Sequence, residues 1–383
     1  MVIIRVGAKT IGARATLVTL RWMAATHDAG MPDHLSTRHL RRRLLELAGL
    51  MAVVAILIWV TPGLGSLRSR VGDASPGWLV AGAILEVLSA LSYVVVFRAV
   101  FCPRMSWRLS YQIGMAEQAA NSLLPAGGAG GLALGAWALR RGGMSAANIG
   151  RRTVAFFLLT SIANVWTLIV FAALFAAGIL HGDSAPALTY GFAAAGVVAT
   201  AVVLALPKLA RPSAASSPPE ANDGRLRRAL RGTRDAIGSG VGDAVVLLRQ
   251  RSLGVIVGSF GYMAFDIAVL GVCFRAFGHP ISIGVLVVAY LIGQLGGLLP
   301  LPAGIGGIEG GLIGTFALYN VPITAATVAI LAYRVLALWI PALLGTVAFA
   351  QLRATLSRNA DPAIICQPLA DPLPRVEAPA AAG

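Results

Sequence analysis

The sequence predicts an all-α polytopic membrane protein with six full spans and two inverted re-entrant helical hairpins, about eight membrane segments in all. Three observations lead there. Hydrophobic residues make up 57% of the 383-residue chain and charged residues only 12%, where a soluble chain carries roughly a quarter charged; mean hydropathy is +0.77. Six stretches, at 44–61, 78–101, 153–179, 188–206, 253–276 and 325–350, are long enough to cross a core of about 30 Å at about 1.5 Å per residue. Finally, one phrase occurs twice: Leu123-Leu124-Pro125-Ala126-Gly127-Gly128 and Leu298-Leu299-Pro300-Leu301-Pro302-Ala303-Gly304-Ile305-Gly306-Gly307. A hydroxyl residue and two alanines follow each copy, as Ser145-Ala146-Ala147 and Thr324-Ala325-Ala326. Gly/Pro interruptions at matching places in two membrane halves point to a transporter-type site.

In chain order, residues 1–43 form a basic cytosolic arm; Arg5, Arg14 and Arg21 interrupt its apolar run, so it is no signal peptide. The first membrane half is 44–206. Within it, 109–124 is apolar apart from polar groups such as Glu117 and Asn121, breaks at Pro125 and resumes only to Leu139, giving hairpin 109–139. Residues 207–251 are a basic cytosolic linker; Pro212 to Pro219 have a flexible composition, and Arg225 to Arg251 is compatible with a helix lying on the inner membrane surface. The second half, 252–351, contains hairpin 283–318, which breaks at Pro300 and resumes from Ile308. Each resumed helix, at about 8–11 residues, is too short for a full crossing. Residues 352–383 are Pro/Ala-rich and expected to be disordered.

Charge supports this layout. The formal charge of +15 could suggest nucleic acid, but the arginines alternate between loops. They cluster at 38–43, at Arg98, Arg104 and Arg108, at Arg140, Arg141, Arg151 and Arg152, in 207–251, and at Arg353 and Arg358. The loops at 61–77, 180–187 and 277–282 are short and carry little net charge. That is the positive-inside pattern of a cytoplasmic membrane protein with both termini inside, and it argues against a nucleic-acid partner. The arginines stay inside only if the two hairpins enter from opposite faces, an inverted repeat; two pairs of short full spans would leave the same ends.

The candidate site residues are those whose presence at membrane depth needs a reason. Glu117 and Asn121 share a helix face and either line a site or bond between helices. Glu309 either caps its short helix or binds protons or a headgroup. Arg334, deep in the last span, pairs with Glu309, contacts a lipid phosphate, or does both. Asp266 and Tyr262 are candidates for a proton relay. Glu86 is left undecided, and Arg98 reads as an interface anchor. Pro125, Gly127, Gly128, Pro300, Gly304, Gly306 and Gly307 would present backbone to a substrate. No nucleophile elbow, Walker loop or metal-binding histidine motif occurs, so no catalytic residue, metal or cofactor is expected and transport would not be ATP-driven.

The first signature, Leu123 to Gly128 with Glu117 and Asn121 upstream and Arg141-Gly142-Gly143-Met144-Ser145 downstream, resembles one of a known family. The second, Leu299 to Glu309 with Tyr333-Arg334 in the next span, is the more specific. Together they resemble the lysylphosphatidylglycerol synthase transmembrane-region family of flippase-like proteins, over roughly 45–350. The resemblance implies translocation of a lipid or lipid-linked headgroup. It also implies that the soluble aminoacyl-transferase domain of bifunctional relatives is lacking. Expected partners are membrane lipids with anionic or lipid-linked headgroups, and cell-envelope biosynthetic enzymes. The alternative is a membrane-embedded subunit or scaffold of a lipid-modifying enzyme or glycosyltransferase.

Overall fold

A computed structural model describes Leu45 and residues 74–123, 129–182, 185–209, 238–298 and 306–358. These residues are helical with short connections, and no strand occurs among them. Helix α1 (Pro76–Phe101) has proline in its first turn, where a missing N–H is tolerated. After a tight turn come α2 (Trp107–Leu123) and α3 (Ala129–Arg141). Helix α4 (Ala146–Ala176) starts where Ser145 Oγ accepts the N–H of Asn148 at 3.3 Å. It stops before Gly178, whose φ of +70° suits glycine. The hydroxyl of the first Ser-Ala-Ala phrase is thus a cap, whereas Thr324 of the second lies inside α10. Helices α5 (Pro186–Leu209) and α6 (238–249) precede α7 (Leu253–Ala276). Then follow α8 (Ile283–Gly293), a 3-10 turn (Gln294–Leu298), α9 (Gly307–Leu318) and α10 (Ile323–Arg358).

Among the described residues α1, α4, α7 and α10 are long and apolar enough to cross a membrane. They match four of the predicted spans, and α5 matches a fifth in position. The stretch 44–61 lies outside the described residues except for Leu45, as do the arm 1–43, the linker between 210 and 237, and 359–383. One expectation is corrected. The tail was to be disordered from 352, but α10 continues to Arg358, because Leu352 is fully buried and Leu356, one turn on, packs against the same core. The resumed helices are also slightly longer than expected: α3 has 13 residues and α9 has 12. At about 18–20 Å both remain shorter than a bilayer core.

Helices α1 and α7 pack along their length, as do α2 and α10. Small residues permit the approach. A Cβ on Gly258 would meet the backbone of Val96, and one on Gly345 would meet the carbonyl of Met115. Large apolar side chains face outward in a stripe on α1, Val80, Ile84, Leu88 and Leu91, and again on α5 and α7. Such a coat is stable against lipid and not against water.

Two apolar clusters mark the two ends of the bundle. Phe101, Met105, Leu109, Leu139, Ile149, Ala244, Val255 and Leu352 share one. Phe175, Phe274, Val285, Tyr319 and Ala326 share the other. Residues along α2, from Leu109 to Leu123, share the first cluster with Leu134 and Leu139 of α3, and α2 packs on α3. The start of α8 and the end of α9 lie together at the opposite end, and α8 packs on α9. Helix α6 is held at the first end by Asp243, which faces Arg151 at 2.9 Å and Arg152 at 3.7 Å.

Candidate functional site

Helices α1, α2, α7 and α10 and the 3-10 turn bring acidic, hydroxyl and amide groups to one place. Glu86 is ten residues into α1 and Asp266 thirteen into α7, about 15 and 20 Å from the helix starts. Between them lies a cavity of about 270 Å³. Its walls come from α1, α2, α7, the 3-10 turn, α9 and α10, so both broken regions contribute. Asn121 and Ser122 reach it from the first, and Gln294 and Ile308 from the second.

Asp266 is the centre of one network. Its Oδ2 accepts from the hydroxyl of Tyr333 at 2.9 Å and from that of Tyr290. Gln294 Nε2 donates to the Tyr333 oxygen at 3.1 Å. Tyr290 and Gln294 are four apart in sequence, with the helix running into the tighter 3-10 turn between them, which aims both inward. Tyr262, expected to work with Asp266, also lines the cavity; its carbonyl accepts from Ser89 Oγ at 3.0 Å and its ring stands edge-on to Tyr93.

Arg334 and Glu309 form the second network. Arg334 Nε lies 2.6 Å from Glu309 Oε1, with both side chains about five-sixths buried. The other oxygen of Glu309 accepts the N–H of Gly306 at 2.6 Å. The capping and pairing readings therefore hold together geometrically. Gly306 has φ of +85°, a conformation open to glycine, and Gly307 is buried against Gly296. Arg334 lines the cavity; Glu309 stands behind it.

Glu117 and Asn121 do share a face, and it is turned to α3. Asn121 Oδ1 accepts the N–H of Gly131 at 2.8 Å, and a Cβ on Gly135 would collide with the Glu117 carboxylate. Asn121 also reaches the cavity. Glu117 is buried behind it and is linked to it through Tyr93, whose hydroxyl donates to Glu117 Oε2 at 2.9 Å. Pro125, Gly127, Gly128, Pro300 and Gly304 lie outside the described residues. Arg98 sits at the end of α1, bonded to the Met105 carbonyl at 2.7 Å and stacked on Trp107.

Sequence reasoning missed Ser89, Tyr93, Gln118, Tyr290 and Gln294, and left Glu86 open. For Glu86 the signal was present: it is a lone acid in an apolar stretch, under the same cost rule that singled out Asp266. For the tyrosines none was, since an aromatic in a span reads first as packing or interface.

These features define a class: multi-pass, all-helical membrane proteins with a polar cavity at mid-span. More particularly, the chain belongs to the family described as lysylphosphatidylglycerol synthase TM region, which it matches over residues 47–345. Nothing among curated proteins or solved structures matches it.

Proposed function

We propose that this protein translocates a lipid, or a lipid-linked headgroup, between the leaflets of the cytoplasmic membrane, with both termini in the cytoplasm and without ATP. The observation that carries this reading is the polar cavity at mid-span, walled by both broken regions and edged by Arg334. A headgroup needs such a path, since each unsatisfied polar group in hydrocarbon costs several kcal/mol. Acyl tails would stay in the bilayer. Family membership, described by the membrane region of a lipid-headgroup synthase, points toward lipid chemistry as well.

In this reading α2–α3 and α8–α9 are re-entrant hairpins that enter from opposite faces. Their short second helices and the pairing of their ends at opposite poles of the bundle support it. Basic side chains are concentrated at the pole of α2 and α3, including Arg98, Arg108, Arg141, Arg152 and Arg249, which suits the cytoplasmic side. The test is leaflet-resolved movement of fluorescent phospholipids in proteoliposomes. Movement above protein-free vesicles across an anionic panel is expected. Rates equal to empty vesicles for every lipid offered would remove the reading.

A further inference from the structure

We propose that Glu86, facing Asp266 across the cavity, is a proton-carrying site that couples headgroup crossing to proton movement. The inference rests on the translocation reading and adds its energy source. It begins from the partners of the buried acids. Glu117 accepts from Tyr93, Asp266 from Tyr290 and Tyr333, and Glu309 from Gly306 and Arg334. Glu86 is different: it is 4% exposed, lines the cavity, and its Oε2 has no hydrogen-bond partner among the described residues. An ionised carboxylate left so is costly, and a neutral carboxyl is much less so.

Arg334 is the only cationic side chain among the lining residues, and it already holds Glu309. Around the cavity that Glu86 lines, α7 presents Tyr262 and Asp266, with the buried Cys273 within reach of the Glu86 charge. Helix α10 presents Tyr333 and Arg334. Helix α2 contributes Glu117 behind Tyr93, and α8 contributes Tyr290 on the far side of Asp266. Helix α4, which also packs on α1, brings no titratable side chain to the cavity. Glu86 and Asp266 are close enough for each to feel the other's charge.

An anionic headgroup cannot share this space with two ionised acids, because like charges in a low-dielectric site repel strongly. A proton on Glu86 removes one charge and admits one. Headgroup and proton then cross together, and the proton leaves to the more alkaline side, where Glu86 ionises and expels the headgroup. Asp266, hydrogen-bonded to Tyr333, lines the same cavity as Glu86.

The experiment uses the full chain in phosphatidylcholine vesicles with fluorescent phosphatidylglycerol and an imposed pH difference, read as the steady-state leaflet ratio. Wild type should enrich the label in the leaflet facing the higher pH, up to about tenfold per pH unit for one proton per lipid. Glu86→Gln should hold the ratio near one, and Glu86→Asp should restore the response. Labelled lipid that moves in wild type with a ratio of one under every gradient would overturn coupling, as would a gradient response retained in Glu86→Gln. If wild type moves no lipid, the translocation reading fails separately, and infrared difference spectra between acidic and alkaline buffer decide the site. A protonated-carboxyl band lost in Glu86→Gln sustains it, and its absence from wild type removes it. Should Glu86→Gln not fold, Glu86→Asp takes its place: a carboxyl band shifted from that of wild type sustains the site, and an unshifted band removes it.

Discussion

Glu309 shows how one side chain serves two partners, and its two oxygens can be tested apart. One accepts the Gly306 N–H that opens α9, and the other meets Arg334. Glu309→Gln keeps an acceptor for the cap and loses the charge; Glu309→Ala loses both. Alanine should therefore be the less stable by about 1 kcal/mol, the usual worth of a cap, read as a lower thermal midpoint of the purified protein. Equal midpoints would deny the cap. The pair itself lies between the exposed limit of about 0–1 kcal/mol and the buried limit of about 3–5. Arg334→Ala should fall in that interval, and exchanging the two residues should rescue only in part, because an arginine at 309 cannot accept from Gly306. A full rescue would mean the cap contributes nothing. At this scale the sequence was legible where chemistry and position agreed: Glu309, Arg334 and Asp266 are ionisable groups inside apolar runs, and all three stand at or beside the cavity. The face that Glu117 shares with Asn121 was expected to line the interior of 109–139, and it meets α3 there; what the shared face did not give is the bond from Tyr93. The partners Tyr290 and Gln294 depend on contacts made only after α7, α8 and α10 have packed.

The broken helices are built on glycines whose missing Cβ atoms make room for backbone, and this sets α9 against the 3-10 turn. A Cβ on Gly296 would strike the carbonyl of Gly307, and one on Gly311 the carbonyl of Gly293. Two other glycines of the same helix, Gly310 and Gly314, would meet nothing within 4 Å. Gly296→Ala and Gly311→Ala should thus destabilise by about 1–3 kcal/mol, as overpacking does. Gly310→Ala and Gly314→Ala should be neutral or stabilising by up to about 1 kcal/mol through helix propensity. Unfolding midpoints of the four variants decide, and four equal losses would show that glycine serves something other than approach. The spans themselves were readable because hydropathy over some twenty residues leaves few alternatives. The 3-10 turn at Gln294 was not: Gly296 and Gly297 release the helix there, and the tighter winding follows from fitting α9 alongside. The helical start of the expected tail was missed for a related reason, since Leu352 and Leu356 acquire a core only once α1, α4 and α6 are in place.

For the whole molecule the question is which pole faces the cytoplasm, and the proposed answer rests on where the arginines gather. Asp243 of α6 ties the basic linker to Arg151 and Arg152 at the start of α4, so the arginines on both sides of that contact share one pole. Leu139 near the end of α3 shares the cluster of Leu109 near the start of α2, as the proposed return of the chain after Leu123 expects. At the other pole α9 ends and α10 begins, with Asn320 in a left-handed conformation at the turn. Cysteine labelling can use these positions, in a background without Cys102, Cys273 and Cys366. Arg141→Cys and Arg249→Cys, both exposed, should react with an impermeant maleimide only after right-side-out membrane vesicles are opened. Ile323→Cys, at a site 61% exposed, should react in sealed vesicles; it is preferable to Asn320, where φ of +60° would strain a cysteine. Labelling of Arg141→Cys in sealed vesicles would place α2 and α3 as two crossings and abolish the opposed hairpins. Labelling of Arg249→Cys there, with Ile323→Cys protected, would instead invert the whole molecule against its arginines. Reaction at Ile323 alone leaves the proposed opposed arrangement standing.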